Sequence, residues 1–117
     1  MRLPRMHSMT KRADFSRARK DGQAKAGRFV VLSTLADPAL PHLKHAVITT
    51  RKVGKAHDRN LLRRRIRAIL QLHGHRIADP HRLLVTIPRP GSSSASYADL
   101  EMDWLKQAKR LGLLNPQ

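Results

Sequence analysis

The feature that most constrains this chain is a stretch, residues 51–70, that combines dense positive charge with aliphatic residues at helical spacing. It reads RKVGKAHDRNLLRRRIRAIL and contains six Arg and two Lys. On a helical wheel Leu62, Ile66, Ile69 and Leu70, with His73 just beyond the stretch, fall within an arc of about 100°, the width of a stripe that faces a core. A solvated basic tail has no reason to keep that spacing. The stretch therefore predicts a central helix that packs on the rest of the fold.

The same helix carries a row of Arg residues beside its apolar stripe. Arg59, Arg63 and Arg67 follow one another at i, i+4 spacing, and Arg64 lies beside the row. Like charges at this spacing destabilise a helix by about 0.2–0.5 kcal/mol per pair. Because 24 basic and 8 acidic residues leave a net charge of +16, we expect a polyanion to bind this face, and nucleic acid is the first candidate. An anionic membrane is a weaker one, because no apolar run is long enough to span a bilayer.

Composition excludes several other classes. The chain has no Cys, so it has neither a disulfide framework nor a thiolate metal site. The N-terminal residues MRLPRMHSMTKR lack the apolar region of a signal peptide, which predicts a cytoplasmic location. With 117 residues we expect one RNA-binding domain, residues 1–117, in which residues 1–9 are mobile.

The residue pattern alone predicts three helices and three strands in the order α-β-β-α-β-α. This is an α+β sandwich, and general chain geometry predicts a right-handed β-α-β crossover. In chain order we expect a helix over residues 10–20, strands over 28–35 and 44–52, the central helix to about residue 73, a strand over 82–87 and a last helix after Ser96.

Capping signals support these boundaries. Thr10 is suited to begin the first helix, and Gly22 lies just past its end. Gly74 is a candidate C′ residue after the central helix. Ser96 and Asp99 form an S-x-x-D start signal for the last helix. In that helix Leu100, Trp104, Ala108 and Leu111 recur at helical spacing, so Trp104 is predicted to lie in the core.

Three positions each allow two interpretations. The turn around Gly54, with Arg51, Lys52 and Lys55, either holds phosphates together with the Arg row or is merely a solvated basic segment. Asn60 is a poor helix-interior residue, so it either contacts a phosphate, a sugar or a loop carbonyl, or makes a structural hydrogen bond at the strand–helix junction. Phe15 is either a core residue, which its thin helix face favours, or a stacking surface at the edge of a cleft.

No catalytic set is evident. Among seven His residues, His73 and His75 do not share a helix face, and His57 is only a sequence neighbour of Asp58. The eight carboxylates are scattered along the chain. The residues alone therefore predict an RNA-binding subunit whose chemistry is performed elsewhere.

At this point the central motif resembles one family, the protein subunit of bacterial ribonuclease P. The resemblance extends over about residues 11–104. Upstream it includes Asp14-Phe15, Gly22 and Phe29-Val30. In the central motif the matching residues are Arg51, Lys52, Gly54, Ala56, Arg59, Asn60, Arg63, Arg64 and Arg67.

The resemblance implies a fold with one more strand, α-β-β-β-α-β-α. This fold is a two-layer α+β sandwich with a small mixed sheet and a left-handed β-α-β crossover, similar to domain 2 of ribosomal protein S5. The left-handed crossover implied by the resemblance replaces the right-handed crossover expected from general chain geometry.

The resemblance also implies a function. The catalyst is ribonuclease P RNA with Mg²⁺, bound mainly by the RNA, and the protein is an accessory subunit of this endoribonuclease. It binds the 5′ leader of precursor tRNA in a cleft between the first helix and the sheet. It has no catalytic or metal-binding residue, no small-molecule substrate and no membrane partner.

By similarity two sets of site residues follow. The catalytic RNA is expected to contact Arg59, Asn60, Arg63, Arg64 and Arg67. The 5′ leader is expected to contact Phe15, Arg19, Phe29, Arg51 and Lys52.

Several family positions differ in this chain. Leu61 replaces a basic residue, and Arg19, Leu32 and Leu70 replace aromatic residues often found in the family. Leader binding is therefore expected to depend more on guanidinium groups and charge than on rings.

Two other functions remain open: a non-catalytic basic RNA-binding protein of ribosomal or chaperone type, and a self-sufficient ribonuclease that uses His57 or His73.

Overall fold

The computed structural model describes residues 12–115, and three α-helices and four β-strands are found there. The elements are α1 (Arg12–Asp21), β1 (Gln23–Ala26), β2 (Val30–Ala36), β3 (Lys44–Val47), α2 (Ala56–His73), β4 (Arg82–Pro88) and α3 (Tyr97–Arg110). Short 3₁₀ turns follow α2 and precede α3. The order α-β-β-β-α-β-α confirms the order implied by the resemblance, and the mixed α+β class is confirmed as well. The predicted mobile segment 1–9 and the Thr10 cap lie outside the described residues.

The sheet has the strand order β1-β2-β4-β3. Strands β1 and β2, and likewise β2 and β4, pair antiparallel, whereas β3 pairs parallel to β4 across the α2 connection. The hand of this crossover stays a prediction. In register, Val30 lies opposite Pro88, and Val47 lies opposite Thr86. Strands β1, β3 and β4 therefore finish, and β2 begins, at one end of the sheet, which we call the upper end.

One face of the sheet carries α2 and α3 and contains the main core. Residues from β2 and β4 point into this face because side chains alternate along a strand. Trp104 is completely buried, and its Nε1–H donates to Thr86 Oγ1 at 3.2 Å. The prediction that Trp104 lies in the core is therefore confirmed. Other members of this cluster include Val30, Leu32, Leu62, Ile66, Ile69, Leu70, Leu84 and Leu100.

Within residues 12–115, the opposite face of the sheet is covered only by α1. Ala18 packs there on Leu83 and Val85, with Phe15 and Ile87 at the margin of the cluster. A helix of ten residues is about 15 Å long, too short to cover the whole face of a four-stranded sheet. A cleft is therefore left between α1 and the upper part of the sheet.

Strand β1 is the element that the residue pattern missed. Its sequence QAKA has no β-branched or aromatic residue, and all four positions are exposed. The strand exists because it pairs with β2 at the sheet edge, with Ala26 opposite Val31. Hydrogen bonding to a neighbour, rather than burial of its own side chains, accounts for it.

Two predicted boundaries need correction. The strand predicted over residues 44–52 ends at Val47, because the chain turns at residues 50–54, where the Val53 N–H donates to Thr50 O and the Gly54 N–H to Arg51 O. Gly74 is the C-cap of α2 in a right-handed conformation rather than a left-handed C′ residue, because the chain continues into a 3₁₀ turn. The Ser96 signal is confirmed, since Ser96 Oγ accepts the Asp99 N–H at 3.1 Å.

Helix α1 is held beside the turn after β2 by an ion pair. Arg17 Nη2 donates to Asp37 Oδ2, and its Nη1 lies 3.4 Å from Asp14 Oδ1. The hydrogen bond from Arg17, together with the Ala39 N–H, lowers the pKa of Asp37 below its ordinary value. Because a lowered folded-state pKa favours the ionised form, the pair stabilises the fold above the ordinary Asp pKa, and that contribution is lost as the pH falls through the folded-state value.

We expect Asp37→Asn to lower the urea midpoint at neutral pH, by an amount that shrinks as the solution is acidified below the ordinary Asp pKa of about 3.9. Urea titrations of both proteins across the acid range measure this. Asp21→Asn, which removes an exposed carboxylate at the end of the same helix, is the control. A difference that stayed constant with pH would contradict the assignment.

Candidate nucleic-acid interface

The start of α2 is built by Gly54 and Asp58. Gly54 has a φ of 149°, and a Cβ there would lie 2.6 Å from Asp58 Oδ2. That carboxylate accepts the Lys55 N–H at 3.3 Å and so satisfies one of the free amide groups at the helix N-terminus. The turn therefore needs Gly at position 54. The helix N-terminus itself is partly filled by Asp58 rather than left open for a phosphate.

The apolar stripe predicted for α2 is confirmed for its four aliphatic residues, whereas His73 is only partly buried, and the Arg row lies outside the stripe. Leu62, Ile66, Ile69 and Leu70 are the buried residues of the helix. Arg59 is partly buried, and its Nη1 donates to Gly54 O at 3.1 Å, which ties the helix to the preceding turn.

The other arginines of the row face outward. Arg63 is partly exposed, and Arg64 and Arg67 are exposed. Within residues 12–115 none of these three makes an ion pair with a carboxylate. Guanidinium groups with free donors are suited to phosphate oxygens, which they bind in a bidentate manner.

Asn60 makes a local hydrogen bond, but the bond lies within α2 and not at the strand–helix junction. It is exposed, and its Oδ1 accepts from Arg63 Nη1 at 3.0 Å. The hydrogen bond at the strand–helix junction is made by Arg59 instead. Asn60 therefore orients the Arg63 guanidinium and keeps its own amide N–H groups available for a ligand.

The carboxylates of the protein are largely used inside the fold. Of the eight acidic residues, six accept hydrogen bonds or form ion pairs. These are Asp14 and Asp37 with Arg17, Asp58 with the Lys55 N–H, Asp79 with Arg82, Glu101 with His73, and Asp103 with the Phe29 and Val30 N–H groups. The surface consequently carries most of the Lys and Arg residues without compensating negative charge, which favours binding of a polyanion.

The second part of the interface is the cleft between α1 and the upper part of the sheet, which we call the central cleft. It encloses about 500 Å³. Its apolar walls come from Phe15, Ala18, Ala24, Val31, Ile48, Val85 and Ile87, and its polar groups from Ser16, Arg19, Ser33 and Thr50. Apolar walls with a few polar groups at the margin suit a planar base better than a charged backbone.

Four of the five residues predicted to contact the leader lie at or beside this cleft. Phe15 lines it and is partly buried, so its ring is not sealed in the core, and Arg19 is exposed at the rim. Arg51 and Lys52 are exposed and directly follow the cleft residue Thr50. The contacts of these residues with RNA stay a prediction.

The structure does not bring Phe29 to the cleft. Its partly buried ring packs against the main core on the other face of the sheet, and the Arg28 guanidinium lies 5.1 Å from the ring centroid. The Phe29 N–H donates to Asp103 Oδ2 at 2.8 Å. Phe29 therefore has a structural role in this fold, because it precedes β2 and turns towards α3.

The strand residues that line the cleft carry no sequence motif. Val31, Ile48, Thr50 and Ile87 were not candidates, because no motif marks them. The signal that finds them is the alternation of the strands. It was already visible over residues 44–52, where Ile48, Thr50 and Lys52 share a face.

Neither of the two candidate catalytic histidines, His57 and His73, forms a free acid–base pair. His57 is exposed. His73 has both ring nitrogens engaged, with Nε2 at 3.0 Å from Glu101 Oε2 and Nδ1 at 3.4 Å from Arg76 Nη1, a contact that sequence spacing did not suggest. No group of three or more His, Asp or Glu side chains within residues 12–115 is placed to hold a metal ion, so this donor set does not fit a Mg²⁺ site.

No helix in the described part of the chain is long and apolar enough to cross a bilayer. Fold and interface together define a small α+β protein that presents an arginine-rich helix on one face of its sheet and an apolar cleft on the other, features typical of RNA-binding proteins. A family model described as Ribonuclease P matches residues 3–112, and the chain belongs to this family.

Individual relatives agree with the family. The chain is 38% identical over 100 residues to the ribonuclease P protein component of Thermus brockianus, covering 86% of this chain and 57% of that protein. It is 29% identical over 92 residues to the ribonuclease P protein component of Syntrophomonas wolfei, covering 79% of this chain and 76% of that protein. The chain thus spans little more than half the length of the Thermus relatives that it matches.

Solved structures share the fold. The Staphylococcus aureus RNase P protein superposes with a TM-score of 0.84 at 24% identity, covering 93% of this chain and 98% of that one. The RNase P protein of Thermotoga maritima, in complex with 1-(4-fluorophenyl)-2-thiourea, gives a TM-score of 0.75 at 26% identity. The match covers 85% of this chain and 94% of that one.

Proposed function

We propose that this chain is the protein subunit of ribonuclease P, which binds a catalytic RNA and promotes removal of the 5′ leader from precursor tRNA. The observation that carries the proposal is the outward-facing Arg row of α2 on one face of the sheet, combined with a cleft with apolar walls on the other face. The two surfaces suit different parts of an RNA. Guanidinium groups pair with phosphates, and apolar and aromatic walls take unstacked bases.

The proposed division of labour follows from these chemistries. Arg63, Arg64 and Arg67, with Asn60 beside them and Arg59 at the junction, bind the catalytic RNA. The central cleft, with Phe15 and Arg19, binds the leader, and Arg51 and Lys52 neutralise phosphates at its upper end. The protein thereby raises the affinity of the ribonucleoprotein for precursor tRNA and steadies the RNA fold.

The protein supplies neither a nucleophile nor a proton carrier in this proposal. Six of its eight carboxylates and His73 have intramolecular partners, and no described donor set fits Mg²⁺. The catalytic Mg²⁺ is therefore assigned to the RNA partner, and the role of the protein is to bind, orient and neutralise.

A cleavage assay tests this assignment. Leader removal is measured with the protein alone, with the catalytic RNA alone and with both, at low Mg²⁺ concentration. We expect no cleavage by the protein alone and faster cleavage by the complex than by the RNA alone. Cleavage by stringently purified protein alone would overturn the proposal and favour a self-sufficient ribonuclease, whose His57 and His73 would then be the residues to substitute.

We expect Phe15→Ala to weaken binding of precursor tRNA to the complex while leaving mature tRNA binding unchanged. Stacking of one base on an aromatic ring contributes about 1–3 kcal/mol, so the loss is roughly 5-fold to 150-fold in Kd. Equilibrium binding of both tRNAs to the holoenzyme measures it.

The matched control is Leu72→Ala, which removes an apolar side chain that is 56% exposed on α2. It is expected to leave both affinities unchanged. If Phe15→Ala weakened precursor and mature tRNA equally, the central cleft would not be a leader site. A basic RNA-binding protein of ribosomal or chaperone type would then be favoured.

A further inference from the structure

A second group of basic residues lies at the tip of the β1–β2 hairpin, away from the Arg row of α2. Lys25, Arg28, Arg89 and Arg110 are all exposed, and we call them the hairpin-tip patch. Lys25 and Arg28 belong to the hairpin, Arg89 directly follows β4, and Arg110 is the last residue of α3. Three separate parts of the chain therefore bring positive charge to one place.

Two of these side chains are held on consecutive backbone carbonyls. Arg89 Nη1 donates to Gly27 O at 2.7 Å, and Arg110 Nη1 lies 3.5 Å from Ala26 O. Arg110 Nη1 also donates to Gln107 Oε1 at 2.7 Å. Since each guanidinium has five N–H groups, most donors stay available while the side chain is already oriented. Because these side chains are already ordered, less conformational entropy is lost when a ligand binds.

The patch contains no compensating carboxylate among the described residues. The acid that lies against the hairpin tip at Gly27 is Asp103, which is 9% exposed. Its Oδ2 accepts the Phe29 and Val30 N–H groups, and its Oδ1 accepts from Gln107 Nε2 at 3.1 Å. Asp103 is therefore occupied in fastening the hairpin to α3. The guanidinium groups of Arg89 and Arg110, which are held on adjacent carbonyls, are left without a paired carboxylate, and such charges attract an anion.

The tip is also rigidly placed. A Cβ on Gly27 would collide with the Asp103 carboxylate, so only Gly allows the hairpin to approach α3 this closely. The Gly27 N–H donates to Val30 O at 2.8 Å, and the Arg89 N–H donates to Phe29 O at 2.8 Å. The basic residues are therefore carried by an ordered, hydrogen-bonded hairpin rather than by a flexible tail.

Strand register connects this patch to the central cleft. The hairpin tip and Arg89 lie at the upper end of the sheet, where β3 continues into Thr50 and the basic residues Arg51 and Lys52. From β3 to β1 there are three inter-strand spacings, roughly 14 Å in all. By alternation Lys25 lies on the α3 side of β1, opposite the cleft residue Ala24, so a strand that leaves the cleft reaches the patch by passing over the upper end of the sheet.

We propose that the hairpin-tip patch binds the phosphodiester backbone of the RNA strand that leaves the central cleft at the upper end of the sheet. The inference rests on the proposed function and extends the RNA contact to the β1 edge, through Lys25, Arg28 and Arg110. It assigns the bound phosphates to the part of the leader farther from the tRNA body.

The test uses the double variant Arg28→Gln/Arg110→Gln in the holoenzyme. Precursor tRNAs with a short leader that ends within the cleft and with a longer leader are compared, together with binding of the protein to the catalytic RNA alone. We expect the affinity for the long-leader precursor to fall on the order of tenfold or more, because charge-assisted contacts are lost. The short-leader precursor and the catalytic RNA are expected to bind as before.

Two further variants make the result interpretable. Lys20→Gln/Lys44→Gln removes the same charge at the lower end of the sheet and is expected to bind both precursors unchanged. Arg28→Lys/Arg110→Lys keeps the charge and is expected to restore most of the long-leader affinity, which separates loss of charge from damage to the hairpin.

The outcomes are distinct. Equal loss for both precursors, or weaker binding to the catalytic RNA alone, would overturn the assignment to the leader, and unchanged binding everywhere would overturn the patch as an RNA contact. Phe15→Ala is measured in parallel. If it weakens precursor binding while the patch variant does not, only this inference fails. If neither has an effect, the proposed function fails with it.

Discussion

The double variant Arg63→Gln/Arg67→Gln is expected to bind the catalytic RNA on the order of 100-fold more weakly than the unaltered protein. Both side chains belong to the outward-facing row of α2, and neither pairs with a carboxylate within residues 12–115. A hydrogen bond to a charged group contributes about 1.5–3 kcal/mol, and tenfold in affinity corresponds to about 1.4 kcal/mol. Two such contacts therefore account for a hundredfold loss or more.

Salt dependence makes this prediction specific. The slope of log K against log salt is expected to become shallower by about 0.9 for each lost contact to a duplex phosphate. Equilibrium binding over a range of salt concentrations measures both quantities. Gln has a helix propensity similar to that of Arg and both side chains face solvent, so the fold is expected to be unchanged.

The control is Lys20→Gln, which removes an exposed charge at the C-terminal end of α1, away from α2. It is expected to change the affinity by less than about twofold, since an isolated surface charge contributes little. If this control weakened binding as much as an α2 substitution, the RNA would be responding to net charge alone. The Arg row would then not be a defined contact surface.

The largest loss of stability is expected from Trp104→Ala. Trp104 is completely buried in the main core, and its indole N–H donates to Thr86 Oγ1. Truncation of a buried aromatic residue to Ala costs about 3–5 kcal/mol, and the buried Thr86 hydroxyl loses its partner as well. Small domains are stable by about 5–15 kcal/mol, so this variant is expected to keep little of its free energy of unfolding, as measured by urea denaturation.

Met102→Ala is the control in the same helix, because Met102 is 69% exposed. It is expected to change the free energy of unfolding by less than about 0.5 kcal/mol. If Trp104→Ala does not fold, Thr86→Val gives a second measurement. It leaves the indole N–H without its acceptor and is expected to cost about 1–3 kcal/mol. A Trp104 variant as stable as the Met102 variant would contradict the core described for the α2–α3 face.

The helices were largely predictable because their determinants are local. The apolar stripe of α2 and the Ser96 cap of α3 are short-range patterns, and both lie where the spacing predicts them. The order of the elements was predictable only through the resemblance. Residues 23–26 carry no strand signal of their own and become β1 by pairing with β2.

The residues of the candidate site were likewise predictable only where their position depends on local sequence. The outward orientation of Arg63, Arg64 and Arg67 follows from their position on the helix relative to the buried stripe. Phe15 could not be assigned from its thin helix face, because whether its ring is sealed depends on how much of the sheet α1 covers. Phe29 was assigned to the cleft by similarity, but the turn before β2 and the Asp103 contacts place it on the other face.

The arginine-rich amphipathic helix and the large excess of positive charge follow from the amino-acid sequence, because periodicity and charge are properties of neighbouring residues. The lining of the central cleft, and the meeting of Arg28, Arg89 and Arg110 at the hairpin tip, depend on the three-dimensional fold. Those residues are far apart in the chain, and strand register and helix packing, which act between distant segments, bring them together.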